Sequence, residues 1–291
     1  MSRRGLILFL ANSLIWGIPF WLTKFLLTEF SPSTIVFLRA GIAAVILLPF
    51  TLKSGEFQKA LHNWRWVLVF ALAQMTIPWG LTSIAQVHLD SAFTGLMMTA
   101  IPILGLFYAF VSGEKQVLTK RGTCGLLVGL VGISALVGLD SLKSHLNIAA
   151  IALVLLATCG YAYAPRVVNR HLKEVPSLGA VSLTALFTTL FWCIPGIVAW
   201  PNHGINIRIV IAMLVLGILC TALAFWIFFE LIKEIGPMRT TYLAFTNPLV
   251  AVLVGVIAAR EPITMGIIVS FPLIVTGTYL AISARAKVAT T

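Results

Sequence analysis

The chain of 291 residues is 59% hydrophobic and only 10% charged, with a mean hydropathy of +1.02, which excludes an ordinary soluble globular enzyme. Its net charge of +11 does not point to nucleic acid, because the basic residues fall a few at a time in short connections and form no single wet face. A bilayer core of about 30 Å takes about 20 apolar helical residues to cross, so about 200 residues would serve ten crossings and leave only short connections.

Apolar runs lie near 5–27, 32–52, 65–86, 91–112 and 119–139, and again near 147–168, 177–200, 208–232, 237–259 and 262–284. They lack the in/out alternation of barrel strands, and a backbone in lipid must satisfy its own hydrogen bonds, so each is read as a helix. The expected fold class is an all-α polytopic membrane protein with ten transmembrane helices. Ser2, Arg3 and Arg4 precede an apolar run as in a signal peptide, but that run continues for about 20 residues with no small-residue cleavage site, so the first span is expected to be retained.

In chain order, the first span carries Asn12, Trp16 and Pro19, the second Arg39, and the third Gln74, Pro78, Trp79 and Gln86. The fourth has Thr99 and Pro102, and the fifth a GxxxG at Gly125 and Gly129, extended by Gly122, Gly132 and Gly138. The sixth carries Thr158, Tyr161, Tyr163 and Pro165, the eighth Thr221, Phe225 and Trp226, and the ninth Tyr242, Thr246, Asn247 and Pro248. Cys124, Cys159, Cys193 and Cys220 lie inside apolar runs without metal or disulfide spacing and are read as small buried residues.

Summed on alternate sides of this map, fifteen of the 20 Lys and Arg residues fall on one side, four (Lys24, Lys143, Arg208, Arg260) on the other, and Arg39 within a span. Lys and Arg concentrate on the cytoplasmic side, so both termini are expected in the cytoplasm and the protein in the inner or plasma membrane. Sliding the sequence on itself by 146 residues superposes Pro19 on Pro165, Pro49 on Pro195, Pro102 on Pro248 and Thr94 on Thr240. Two units follow, 1–142 and 143–291, each with five spans. Five is odd, so the second unit enters the membrane from the opposite side, the arrangement that supports alternating access around a mid-membrane site.

The stretch from Trp16 through Leu38-Arg39-Ala40, the segment from Pro102 to Glu114 with its Gly-rich fifth span, and the echo from Asn247-Pro248 to Glu261-Pro262 resemble the EamA family of the drug/metabolite transporter superfamily. That resemblance spans nearly the whole chain. It implies ten helices in two inverted five-helix repeats and export or exchange of small metabolites such as amino acids.

An ionisable group at mid-membrane is costly and marks function by default. Arg39, about two turns from the far end of its span, either binds a substrate carboxylate or phosphate through its fork or caps carbonyls and reaches the interface. The residues expected to bind substrate are Asn12, Trp16, Pro19, Arg39, Gln74, Trp79, Thr99, Tyr161, Tyr163, Trp226, Tyr242, Thr246 and Asn247. Aromatics would stack on the cargo and amides would bond its polar end, with Trp79 and Phe225/Trp226 as opposite gates. Each mid-span proline is either a hinge or a fixed kink. The glycine face of the fifth span serves either packing within the monomer or a homodimer. Glu230 is expected to snorkel, Lys24 and Glu29 to be ordinary interface residues, and Glu114 and Glu261 to cap the helices that follow them.

No P-loop, HExxH or Ser/His/Asp set is present, so neither an enzyme nor a cofactor is expected. The expected function is secondary transport of a small organic solute, with amino acids or related amphipathic molecules leading. The rivals are a membrane-embedded enzyme on lipid or isoprenoid substrates, which needs converging His, Asp or Glu, and a passive channel or non-transporting subunit.

Overall fold

The computed structural model describes residues 2–111, 120–141, 147–236, 240 and 243–288. Their regular structure is entirely helical. The first apolar run forms α1 (Arg3–Gly17) and α2 (Pro19–Leu26), parted at Ile18 because Pro19 has no N–H to continue the ladder. Ser31 starts α3 (Pro32–Lys53), its hydroxyl accepting from Thr34 N at 3.2 Å and Pro32 supplying a fixed φ in the first turn. A short helix that hydropathy did not indicate, α4 (Glu56–His62), fills the connection to α5 (Trp64–Ala71).

A π-turn (Leu72–Thr76) joins α5 to α6 (Ile77–Ala85), and the fourth run is split into α7 (Ser91–Met97) and α8 (Ala100–Val111). Then come α9 (Lys120–Ser141), α10 (Ile148–His171), α11 (Ser177–Val198) and α12 (Ile207–Leu214). A second, longer π-turn (Val215–Leu223) leads into α13 (Ala224–Ile235), followed by α14 (Leu243–Ala258) and α15 (Met265–Val288). Joined across their breaks, seven of these helices are long and apolar enough to cross a membrane, and three shorter apolar helices lie at Ser91–Gly105, Thr246–Ala258 and Met265–Gly277. Large apolar side chains such as Val45, Ile194, Val198 and Ile257 are exposed on the outside, as lipid solvation requires.

The packing is reciprocal. Helix α3 lies on α11 and on the second π-turn, while α11 lies on the first π-turn; α1 packs on α13 and α14, while α10 packs on α6 and α8. Shifted by 146 residues, the first π-turn falls on 218–222, inside the second. Helices α9 and α15 pair along their length, and the GxxxG face is used there: a Cβ on Gly277 would meet the Gly129 backbone and lie 2.8 Å from the Gly125 carbonyl oxygen. The close approach leaves no room for a side chain, and the small-residue face of Gly125 and Gly129 is filled within the chain.

Gly277→Val forces two backbones apart and is expected to cost about 1–3 kcal/mol, read as a lower melting temperature in detergent. Gly138→Ala, where an added Cβ meets nothing within 4 Å, should leave stability unchanged or slightly raised.

Candidate functional site

A π-turn displaces backbone carbonyls from the regular ladder, and such turns gather at functional sites. The two among the described residues are braced from other helices. At the first, the Thr76 and Thr188 hydroxyls bond at 2.8 Å, and the Trp192 indole N–H donates to the Thr76 carbonyl at 2.9 Å. Pro78, just beyond, supplies no N–H of its own. At the second, the Thr221 hydroxyl donates to the Leu216 carbonyl, five residues back, at 2.8 Å. One turn further, Asn12 Nδ2 donates to the Ala224 carbonyl at 2.9 Å.

Arg39 reaches from α3 to the second π-turn, where its Nε donates to Thr221 Oγ1 at 2.9 Å. Its guanidinium carbon lies 3.8 Å from the centre of the Trp79 ring on α6. A cation over an aromatic face is worth about 0.5–1 kcal/mol when exposed and about 2 or more when desolvated. Tyr161, from α10, faces both the guanidinium and the Trp79 indole. Trp79 and Phe225 belong to one buried apolar cluster with Met75, against which Trp16 and Tyr161 pack. Trp16 meets Phe225 edge-on at 5.6 Å and Phe228 at 4.8 Å. Five separate segments thus bring Trp16, Arg39, Trp79, Tyr161, Thr221 and Phe225 together. Among the described residues, no acidic side chain pairs with Arg39.

Other expected residues lie around this centre or away from it. Asn12 is wholly buried one turn along α1 from Trp16, and next to it the Ser13 and Thr246 hydroxyls bond at 2.7 Å. The amide oxygens of Asn12 and Asn247 are both buried with no hydrogen-bond partner among the described residues. Gln74 is half-buried in the first π-turn, Pro19 opens α2, and Thr99 is buried at the α7/α8 break, donating to the Leu96 carbonyl at 2.5 Å. Tyr163 is 43% exposed and packs edge-on with Tyr108 at 6.1 Å, and Trp226 is 48% exposed, so neither is brought to Arg39. Adjacent helical residues diverge by about 100°, and Phe225, not Trp226, turns inward. Tyr242 and Glu114 lie outside the described residues. The Arg39–Thr221 pairing left no signal in hydropathy; the mid-span hydroxyl at Thr221 was the one available hint.

The two ends of the bundle are tied differently. At the end bearing Arg3 and Lys233, Arg4 pairs with Glu230 at 3.0 Å and Glu234 at 3.7 Å, joining α1 to α13, and Lys233 pairs with Glu230 at 2.9 Å. Glu230 is ion-paired at this exposed end. At the opposite end Lys24 Nζ donates to the Gln86 and Leu89 carbonyls at 2.8 and 3.0 Å, and Gln86 Nε2 donates to the Phe20 carbonyl at 2.8 Å. Lys24 therefore caps the end of α6 where an ordinary interface residue was expected.

The Glu261 carboxylate accepts from Ser91 N and Oγ, each at 2.7 Å, and from Ala92 N at 2.8 Å. It caps α7 in the first half, where capping of its own following helix was expected. Arg260, at φ 56°, turns the chain back, and Gly255 leaves the space that a Cβ would take 2.5 Å from the carboxylate. Negative charge at a helix N-terminus is favourable, so this tie stabilises as well as positions.

The EamA-like transporter family matches this chain twice, over residues 3–138 and 148–283. An uncharacterized transporter of Bacillus subtilis (strain 168), YvbV, is 24% identical over 268 residues, covering 90% of this chain and 86% of that one. An uncharacterized inner membrane transporter of Escherichia coli (strain K12), YedA, is 24% identical over 278 residues, covering 92% and 89%. A protein of known crystal structure, 21% identical, superposes with a TM-score of 0.67 over 97% of this chain and 98% of its own, so the fold is shared. With both halves matched, this chain is a multi-pass, all-helical membrane protein that belongs to the EamA-like transporter family, not an enzyme.

Proposed function

We propose that the chain is a secondary transporter of small organic metabolites, amino acids or related amphipathic solutes, working by alternating access as an exporter or exchanger. Its ten spans form two inverted five-helix repeats divided near residue 142, with both termini in the cytoplasm and the whole in the inner membrane. The observation that carries this reading is the reciprocity of the packing. The second span of each half braces the π-turn of the other, and the two π-turns flank the cluster around Arg39 and Trp79.

Inverted repeats that exchange conformations need contacts that come in such swapped pairs. They also need ties between the halves at both ends, and Arg4 with Glu230 and Glu261 with Ser91 occupy those places. The cargo chamber lies among Trp16, Arg39, Trp79, Tyr161 and Phe225, with Asn12, Gln74, Thr99, Thr246, Asn247 and the hinge at Pro19 around it. Tyr163 and Trp226, both exposed, lie outside that chamber. With no carboxylate or histidine at mid-span, exchange or facilitated diffusion accounts for transport as well as proton antiport does.

Counterflow separates this carrier from a channel. In proteoliposomes, unlabelled solute trapped inside is expected to drive transient uptake of labelled solute above equilibrium, and a passive pore would show no overshoot. In the same assay Trp79→Ala, which removes the ring under Arg39, is expected to lower exchange by at least about tenfold, an effect of about 1.4 kcal/mol. Trp226→Ala, on the outer surface, should change it less than about twofold.

A further inference from the structure

Arg39 is the one basic residue in the middle of a span, and a charge in a low-dielectric interior is costly unless it is paired and hydrogen-bonded. If this arginine were a structural cap, its terminal amino groups would hold helix carbonyls, yet among the described residues they make no hydrogen bond. Only Nε is engaged, by Thr221 Oγ1 at 2.9 Å, while the flat face rests 3.8 Å over Trp79. What remains is the outer edge of the fork, two parallel N–H donors whose plane is fixed by the ring and whose rotation is fixed by the hydroxyl. That edge matches the two oxygens of a carboxylate, and stacking makes the match stiffer than a lysine could offer.

Among the described residues no such carboxylate pairs with Arg39. The chain's nine acidic residues, Glu29, Glu56, Asp90, Glu114, Asp140, Glu174, Glu230, Glu234 and Glu261, lie in connections or toward span ends. Among the described residues no carboxylate neutralises Arg39, and none is there as a counter-charge for an ammonium group on the cargo either. A zwitterionic amino acid would leave the occupied site with a net positive charge, its amine without a counter-charge. A monoanion would leave it neutral, which removes the cost of carrying a charge through the membrane.

We propose that Arg39, held by Thr221 and backed by Trp79, selects the cargo, and that the cargo is an organic monocarboxylate with an apolar or aromatic body lying against Trp16, Tyr161 and Phe225. This rests on the transporter reading and sharpens it: among amphipathic solutes of one skeleton, the net anion is preferred to the amino acid and to the neutral amide.

The test uses the full chain, purified for thermal shift and reconstituted for counterflow, with matched probes: 3-phenylpropanoate, 3-phenylpropanamide and phenylalanine, and hexanoate with hexanamide. At least one carboxylate is expected to raise the melting temperature and to bind at least about tenfold more tightly than its amide, because a hydrogen bond to a charged group is stronger than one to a neutral group. Arg39→Lys should keep the order with weaker binding, and Arg39→Gln should abolish it. If Arg39→Gln fails to fold, the carboxylate and amide comparison on the unaltered chain decides alone. No carboxylate outscoring its amide, or a preference that survives Arg39→Gln, overturns the proposal. Carboxylate-selective binding without counterflow overturns the transport reading and leaves the site standing.

Discussion

A peptide group in lipid has no water to bond, so every departure from a regular helix must be answered from within the protein. This chain departs in a few places, and another helix or connection meets most of them. Trp192 and Thr188 answer the π-turn at 72–76, and Asn12 answers the carbonyl just beyond the π-turn at 215–223. Lys24 answers the carbonyls at the end of α6, and Glu261 answers the N–H groups that open α7. These polar side chains sit where the backbone would otherwise be left unsatisfied.

Those same irregularities make a site possible. A regular α-helix at 215–223 would present Thr221 and Phe225 on a single 3.6-residue stripe; the π-turn shifts that register. Thr221 then reaches both the Leu216 carbonyl and Arg39, while Phe225 meets Trp16. The centre that results has one cation, several aromatic rings and few neutral hydroxyls. Its ties to the ends of the bundle differ in kind: exposed ion pairs at one end, each worth little alone, and capped helix ends at the other. Such ties can be exchanged one for another without a large gap in free energy, which a bundle with two accessible states requires.

Much of this was legible in the sequence. Hydropathy located the apolar runs to within a few residues, because hydrophobic length is what the bilayer demands, and Pro19, read as a hinge or a fixed kink, stands at the break in the first of them. The repeat was visible through Pro102 and Pro248, and Arg39 stood out because a charge in a span is rare. What sequence could not give was pairing. The second π-turn contains no proline, only Gly217 packed against Ile42 and the hydroxyl of Thr221, so nothing in its composition distinguishes it from ordinary helix. Trp226 was expected to bind substrate and, with Phe225, to form a gate, yet its exposure leaves Phe225 as the inward residue. Glu261 was read against its own neighbours, although its partner lies 170 residues away across the two halves. Long-range partners are set by packing, and packing leaves no local trace.

The central claim is that two inverted halves rock about a shared chamber, and paired spin labels measure it most directly. With Cys124, Cys159, Cys193 and Cys220 replaced, one label pair at Arg3 and Lys233 spans the halves at the basic end. A second pair, at His88 and Ile263, spans them at the other end. In lipid the account predicts two distance populations at each end that trade places: when one pair is long the other is short, and solute shifts both together in opposite senses. Ends that lengthen in concert, or that keep one fixed distance whatever solute is present, would contradict it.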